Sequence, residues 1–132
     1  MKYLLDTNVV SDLVRDPGGR VAQRIAGVGE AQVCTSIIVA AELRFGAAKK
    51  RAPRLTNAIL GVLERLPVLT LSAPAEVRYA ELRASLESRG TPIGGNDLLI
   101  AAHALALRLT VVTDNEREFS RVEDLRIENW LK

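Results

Sequence analysis

Residues 94–114 read GGNDLLIAAHALALRLTVVTD, and this stretch decides the fold. Its first part predicts a helix over 96–108, which Asn96 is expected to cap after the two glycines. The helix is apolar nearly all the way round, so it must be buried. A β-rich run at 110–113 follows at once and predicts a strand. A buried helix that leads directly into a strand is typical of proteins in which helices cover a sheet.

The same two patterns continue through the rest of the chain. Short β-rich runs predict strands at 2–5, 32–35, 67–71 and 110–113, with a further edge strand at 126–130. Helical spacing predicts helices at 7–15, 20–27, 36–48, 54–66, 73–89 and 96–108. Strands that alternate with helices imply a parallel sheet covered on both faces. No repeat or linker interrupts the chain, so residues 1–132 are expected to form one domain.

The composition is that of a soluble globular protein, with 48% hydrophobic and 26% charged residues. The N-terminal apolar run is interrupted by an acid at Asp6, too early for a signal peptide or a membrane span, so a cytoplasmic protein is expected. The single cysteine, Cys34, excludes an internal disulfide and a cysteine zinc site, and we expect it to be buried on a strand.

The net charge of +2 does not by itself indicate a nucleic-acid partner, but the positive charge is unevenly distributed. No acid occurs between Glu42 and Glu64. Five basic residues fall inside that gap: Arg44, Lys49, Lys50, Arg51 and Arg54. Such a stretch can neutralise several phosphates, although a solvated helix end and loop has the same composition.

Three aspartates occupy positions where a ligand is often bound. Asp6 and Asp114 each follow a predicted strand, and the carboxyl ends of parallel strands border the ligand crevice of open α/β sheets. Asp97 lies in the first turn of the buried helix, where the helix dipole favours an anion. Taken singly, each has an ordinary alternative role as a turn, cap or helix-start acid.

Glu42 is the fourth unusual acid, because its helical neighbours are all apolar or glycine: Ile38, Val39, Phe45 and Gly46. It is therefore expected on the buried stripe of its helix. A buried carboxylate needs a cation, and Arg44 points about 160° away round the helix. A metal ion or an arginine from elsewhere in the chain remains as the partner.

Four acids that converge would require a counter-charge. With no cysteine or histidine framework nearby, oxygen ligands suit a hard divalent ion, Mg²⁺ or Mn²⁺, which activates water and stabilises charge on a phosphoryl group. The only histidine, His103, lies six residues after Asp97, roughly 120° round the helix from it. We therefore expect His103 to be structural.

Four segments together resemble the PIN-domain VapC toxins, in the order and with the spacing of that family. They are MKYLLDTNV (1–9), AAELRFG (40–46), GNDLLIAAH (95–103) and VVTDNEREFSRV (111–122). The closing run FSRVEDLRIENW (119–130) resembles the tail of the enteric-type VapC group. The resemblance implies a three-layer, Rossmann-like α/β PIN domain whose central, mostly parallel sheet is flanked by helices.

The resemblance also implies a site. Position by position, it makes Asp6 and Asp97 direct ligands of Mg²⁺ or Mn²⁺, and it makes Glu42 and Asp114 complete the catalytic site directly or through water. It gives supporting hydrogen bonds to four polar residues: Thr7, Asn8, Thr113 and Asn115. The basic stretch, here Lys49, Lys50, Arg51 and Arg54, is then expected to hold the RNA backbone.

The implied function is that of a toxin in a type II toxin–antitoxin system, an endoribonuclease that cuts RNA. A metal-activated water does not need the 2′-hydroxyl as nucleophile, so the cut is expected to leave a 5′-phosphate and a 3′-hydroxyl. The enteric-type group implies initiator tRNA, cut in its anticodon stem-loop, as the substrate. The expected partners are a second copy in a homodimer and a VapB-type antitoxin, with DNA reached only through the antitoxin and no membrane contact.

Three other functions share parts of this pattern. A haloacid-dehalogenase-like phosphatase needs a second aspartate two residues after the first, where this chain has Asn8. A phosphoacceptor receiver domain needs an acidic pair near the start and a lysine after a late strand, and this chain has neither beside Asp6 or Asp114. A catalytically silent PIN-like binding module remains as the alternative, against which the presence of all four acids argues.

Overall fold

A parallel sheet forms the middle of the molecule, and the computed structural model describes all 132 residues. Its strands are β1 (Tyr3–Leu5), β2 (Val33–Ser36), β3 (Val68–Leu69), β4 (Thr110–Val112) and β5 (Ile127–Glu128). Neighbouring strands are all parallel, in the order β3-β2-β1-β4-β5. β1, β2 and β4 are buried along their whole length, as expected for strands covered on both faces.

The strand order reverses between β1 and β4. The chain moves from β1 outward to β2 and β3, then returns past β1 to β4 and continues to β5. Leu5 of β1 pairs with Val112 of β4, so the carboxyl ends of these two strands are level. Open α/β sheets bind ligands at such a reversal, outside the carboxyl ends of the strands. Asp6 and Thr113 are the residues that follow β1 and β4 at this point.

Helices cover both faces of the sheet. They are α1 (Thr7–Arg15), α2 (Arg20–Val28), α3 (Ile37–Lys50), α4 (Pro53–Arg65), α5 (Ala75–Ser88), α6 (Gly95–Leu107) and α7 (Glu116–Phe119). α1 packs against α2, α3 and α4, whereas α5 packs mainly on α6. Because parallel crossovers are right-handed, helices on the outward path and on the return path cover opposite faces. The predicted three-layer α/β fold is confirmed. No helix combines the length and apolar content that a membrane span requires.

Buried aliphatic side chains of β1 and β4 form the centre of the core, and the C-terminal residues close one edge of it. Trp130 is 1% exposed and lies edge-on to Tyr3, with 5.1 Å between the ring centroids. Cys34 is buried on β2, as predicted, and burial raises the pKa of its thiol to about 11. The thiol is therefore protonated and unreactive near neutral pH.

The structure corrects several local predictions. The buried helix begins at Gly95 with Gly94 as its cap residue, so Asn96 lies inside the first turn and does not cap it. Phe45 was expected on the buried stripe of α3, but it is 67% exposed. The buried residues of α3 are Val39, Ala40, Leu43 and Ala47, a stripe that does not include Phe45. The strand predicted at 67–71 pairs over two residues only, and the short helix α7 was not predicted.

Candidate metal centre

Asp6 lies at the centre of the site, directly after β1, and is 3% exposed. Its backbone is extended and its side chain does not cap α1, which begins at the next residue. The hydroxyl of Thr113, the residue that follows β4, donates a 2.7 Å hydrogen bond to Oδ2 of Asp6. The ends of the two strands on either side of the reversal are thereby joined through this carboxylate.

Glu42 approaches from α3 and is half-buried. The hydroxyl of Thr7, the first residue of α1, donates a 2.7 Å hydrogen bond to Oε1 of Glu42. α3 also has an ordinary start, because its cap residue Ser36 accepts a hydrogen bond from the backbone N–H of Ile38. Thr7 thus holds the Glu42 carboxylate, and the Ser36 cap stabilises the N-terminus of the helix that carries Glu42.

Asp97 comes from the first turn of α6. The side-chain amide of Asn115 donates to Oδ2 of Asp97 at 3.0 Å, and the same amide donates to Oε2 of Glu118 at 2.7 Å. The backbone N–H of Asn115 in turn donates to the hydroxyl of Thr113 at 2.9 Å. One chain of hydrogen bonds therefore runs from Asp6 through Thr113 and Asn115 to Asp97.

Glu118 belongs to this group, although it is not one of the four acids that the sequence pattern singled out. It lies on α7, and its Oε1 accepts a hydrogen bond from the backbone N–H of Gly94 at 3.0 Å. The one local pattern around it is the spacing Asn115-x-x-Glu118, which does not by itself mark a site residue. That spacing is typical of a helix start, and here it places an acid at the carboxyl end of β4.

Asp114 is placed differently from the other three predicted acids. It is exposed, and its Oδ1 accepts a 3.0 Å hydrogen bond from the side-chain amide of Asn129 near the C-terminus. Its backbone N–H donates to Oδ1 of Asn8 at 3.1 Å. The structure brings together Asp6, Glu42, Asp97 and Glu118, with Asp114 at the rim. The four predicted supporting residues, Thr7, Asn8, Thr113 and Asn115, each make a hydrogen bond with one of the site acids.

Burial and the closeness of the negative charges shift the pKa values of these acids. Burial raises the pKa of Asp6, and the charges of Glu42 and Glu118 add to this effect against the opposing hydrogen bond from Thr113. Burial, a hydrogen bond with Glu118 and the neighbouring acids raise the pKa of Asp97 to about 8. The same hydrogen bond lowers the pKa of Glu118. Asp97 and Glu118 therefore share a proton at neutral pH when no cation is bound.

The donor set fits a hard divalent cation. None of the seven ion pairs in the structure involves any of these four carboxylates. No three of them stand close enough together to form a preformed metal-ligand group. Mg²⁺ is usually bound through one or two carboxylates while it keeps several waters, so a closed protein shell is not required.

The basic stretch lies beside this site at the end of α3 and the start of α4. Lys49, Lys50, Arg51 and Arg54 are all exposed, and none of them is engaged in an ion pair. Lys50 lines the same cavity as Thr7 and Glu42. These positive charges are therefore free to meet an anionic ligand that reaches the carboxylates.

His103 stands apart from the acids. It is 1% exposed, and its Nδ1 lies 2.8 Å from the hydroxyl of Ser36, the cap residue of α3. Burial lowers the pKa of His103, so the ring is neutral at physiological pH. It makes no hydrogen bond to any of the four carboxylates, and its contact with Ser36 joins α6 to the start of α3.

Comparison with known proteins finds a family and relatives that match nearly the whole chain. A family model described as the PIN domain matches residues 3–125. The tRNA(fMet)-specific endonuclease VapC of Salmonella typhimurium is 37% identical over 131 residues, which is 98% of each chain. Ribonuclease VapC2 of Rickettsia felis is 39% identical over 134 residues, covering both chains completely. Among solved structures, that of DNA-bound VapBC from Salmonella typhimurium superposes with a TM-score of 0.92 at 37% identity, with 98% of each chain covered.

Proposed function

This chain belongs to the PIN-domain family and, within it, to the VapC ribonucleases, and from that membership we propose how its own residues cut RNA. It is a toxin of the toxin–antitoxin type with endoribonuclease activity. The observation that carries the site assignment is a group of four carboxylates without a cationic partner at the reversal of the strand order. Carboxylates placed this close together repel one another, and a catalytically silent binding module would not require them.

PIN nucleases depend in general on a divalent metal ion. Asp6, Glu42, Asp97 and Glu118 would hold that ion, and the all-oxygen donor set favours Mg²⁺ or Mn²⁺. When bound, the ion supplies water with a lowered pKa and neutralises charge that develops on the phosphoryl group. Asp114, at the rim, would reach the site through water. Thr7, Thr113 and Asn115 donate hydrogen bonds to Glu42, Asp6 and Asp97 respectively, and Asn8 accepts one from the backbone N–H of Asp114.

The protein's part in the reaction is to fix these oxygens and to manage their protons. Thr113 orients Asp6, and Thr7 orients Glu42, so neither carboxylate has to be positioned during the reaction. Asp97 and Glu118 would give up the proton that they share when they hold a cation. Water attacks the phosphorus as the P–O3′ bond breaks; the water gives up one proton to the solvent and the departing 3′-oxygen takes one up, which leaves a 5′-phosphate and a 3′-hydroxyl.

The RNA backbone would lie across the basic stretch. Lys49, Lys50, Arg51 and Arg54 offer unpaired positive charge on the side of the site where Lys50 borders the cavity next to Glu42. Contacts of this kind hold phosphates and carry no sequence information. Selectivity for one RNA must therefore come from the shape of a folded substrate and from contacts nearer to the cut.

We take initiator tRNA, cut in its anticodon stem-loop, as the substrate, because two relatives are named tRNA(fMet)-specific endonucleases. Three of the related solved structures are VapBC complexes, two of them with DNA. A VapB-type antitoxin is therefore the proposed partner, a homodimer the proposed assembly, and DNA is contacted through the antitoxin. The proposal places the single domain of residues 1–132 in the cytoplasm.

Mapping of cleavage ends in total RNA tests the substrate. Purified protein is incubated with total bacterial RNA and Mg²⁺, and new 5′-phosphate ends are sequenced, with the Asp97→Asn protein as the control. The expected result is one dominant new end in the anticodon stem-loop of initiator tRNA. Ends scattered through messenger RNA, or concentrated in ribosomal RNA while initiator tRNA stays intact, would contradict the substrate and leave the nuclease activity standing.

A further inference from the structure

A cavity of about 260 Å³ opens directly beside the carboxylates, between α1, α3 and α4. Thr7 and Glu42, which are joined by their 2.7 Å hydrogen bond, form one end of it. The cavity is smaller than the roughly 300–1,000 Å³ of sites that enclose drug-sized ligands. It has room for one compact group, and whatever enters it lies next to the proposed reaction centre.

Two positive charges border the far end of this cavity. Arg15 of α1 and Lys50 of α3 both line it, and each lies eight residues along its helix from Thr7 and Glu42 respectively. Eight helical residues span about 12 Å. Lys50 is in no ion pair, and Arg15 makes only a 3.5 Å contact to Asp12 with its side chain 73% exposed. The cavity therefore runs from the acids to two available cations.

The walls between these ends are mainly aliphatic, with a few polar atoms. Val14 of α1 and the α4 residues Leu55 and Ile59 provide apolar surface, and Ser11 provides a hydroxyl. No aromatic side chain lines the cavity. A flat, largely apolar group would be enclosed between aliphatic side chains, with hydrogen bonding at its edge only. A nucleobase attached to a ribose has this combination of apolar faces and polar edges.

Resting on the proposed function, we propose that this cavity receives the base and ribose of a nucleotide that flanks the scissile phosphate. The scissile phosphate lies at the carboxylates, and the long side chains of Arg15 and Lys50, which lean toward the N-termini of their helices, reach along the cavity toward the next phosphate of the strand. RNA is recognised mainly through unstacked bases in loops, and an anticodon loop offers such bases. The cavity then selects for an unpaired nucleotide beside the cut, so a base-paired stem is excluded by shape.

The charge pattern favours a nucleotide over an apolar protein side chain as the occupant. An apolar residue of a protein partner would fill the aliphatic walls but would leave both Arg15 and Lys50 without a partner. A nucleotide fills the walls, and its phosphate is an anion that the long side chains of Arg15 and Lys50 can approach. The cavity is continuous with the acids through Thr7 and Glu42, as a subsite next to the reacting bond has to be.

Gly46→Leu fills the cavity without distorting the backbone. Gly46 lines the cavity from α3, and a Cβ added there meets no atom within 4 Å. Gly27→Leu is the matched control, because Gly27 is an exposed glycine of α2 that also has no atom within 4 Å of an added Cβ. Ser11→Leu narrows the cavity from the opposite helix and serves as a second test if Gly46→Leu melts below the control.

The test compares three RNA stem-loops that carry the mapped cut site: the intact RNA, and two in which one nucleotide flanking the cut is replaced by an abasic ribonucleotide. For the wild type and Gly27→Leu, kcat/KM is expected to fall roughly tenfold or more with one of the two abasic RNAs. Gly46→Leu is expected to show that loss already on intact RNA and to lose nothing further when the base is removed.

Two outcomes would overturn the nucleotide subsite alone. Gly46→Leu and Ser11→Leu could cut intact RNA at the wild-type rate, or the loss from base removal could be the same in these variants as in the wild type. If Gly46→Leu and Ser11→Leu cut RNA at the wild-type rate but no longer bind the antitoxin, the cavity would be a binding site for the protein partner instead. A wild-type protein that cuts no RNA would overturn the proposed function as well.

Discussion

The hydroxyl of Thr113 donates a 2.7 Å hydrogen bond to Oδ2 of Asp6, a residue 107 positions earlier in the chain. This bond lowers the pKa of Asp6 against the effect of burial, and the same hydroxyl accepts the backbone N–H of Asn115. It therefore fixes a buried carboxylate and the loop that holds Asp97. Two parts of the site depend on one side chain.

Thr113→Val should reduce kcat by roughly 10–100-fold, the usual effect of losing a residue that orients a metal ligand. The pKa of Asp6 should rise, so the acidic limb of the pH–rate profile moves to higher pH. Thr113→Ser, which keeps the hydroxyl, should restore both. Thr110→Val is the control, since Thr110 is a buried threonine of the same strand region outside the site. An unshifted pH profile in Thr113→Val would contradict the positioning role.

Asp97 should make the metal-free protein less stable as the pH rises. Its pKa is about 8 when folded and 3.8 for an ordinary aspartate, so the folded state binds more protons between these values. The free energy of unfolding then falls as pH increases from about 4 to about 8. Asp97→Asn should flatten this dependence and raise the melting temperature at pH 8, and Mg²⁺ should restore the wild type at that pH. Thermal melts in EDTA across this range test it; an Asp97→Asn protein that melts lower throughout would make the residue structural.

Glu118 and Asp114 should differ in their effect on activity. Glu118 contacts the amide that holds Asp97 and shares its proton, whereas Asp114 is exposed and bonded to Asn129. Glu118→Gln should lower kcat by roughly 10–100-fold, and Asp114→Asn should cost markedly less. Single-turnover cleavage by the two variants decides the order. Equal losses, or a larger loss in Asp114→Asn, would mean that the loop after β4 rearranges when the ion binds.

The basic stretch should control RNA affinity through salt. Replacing Lys49, Lys50 and Arg51 by glutamine should weaken binding and reduce the slope of log K against log salt by up to about 2, from about 0.7 for each lost phosphate contact. Cleavage at saturating RNA should change little. Arg78, Arg83 and Arg89, which pair with acids around α5, provide a control triple of equal charge. If the salt slope of this variant equals that of the control triple, the basic stretch does not contact RNA and is only solvent-exposed surface.

The sequence was sufficient to predict the five strands approximately and six of the seven α-helices, because the signals of those helices are local and strong. The α1 bounds at 7–15 were predicted without error, and the buried helix was displaced by one residue. That displacement reflects cap geometry: Gly94 adopts the extended backbone of a cap residue, so the helix starts before Asn96. The length of a short strand such as β3 depends on how many of its residues pair with the neighbouring strand, and the sequence of one segment does not predict that number.

Three of the acids in the site could be predicted from strand ends and helix position, and the fourth could not. Glu118 has charged and polar neighbours in sequence, so nothing local separates it from a surface residue. Its role depends on α7 turning back to place it against Gly94 and Asn115. The exposure of Phe45 has a similar origin, since helical spacing does not tell which side of α3 lacks a neighbour.

The most direct test of the account is metal-dependent cleavage of RNA by the wild type and Asp6→Asn. Both proteins are passed through EDTA and desalted, and then incubated with the mapped RNA at increasing Mg²⁺ or Mn²⁺. The wild type should be inactive without metal and should regain activity with either ion, leaving 5′-phosphate ends, because the carboxylates need a cation to act. Asp6→Asn should stay inactive at all concentrations while melting no lower than the metal-free wild type. Wild-type cleavage that persists after chelation, or full activity of Asp6→Asn, would contradict the assignment of this site.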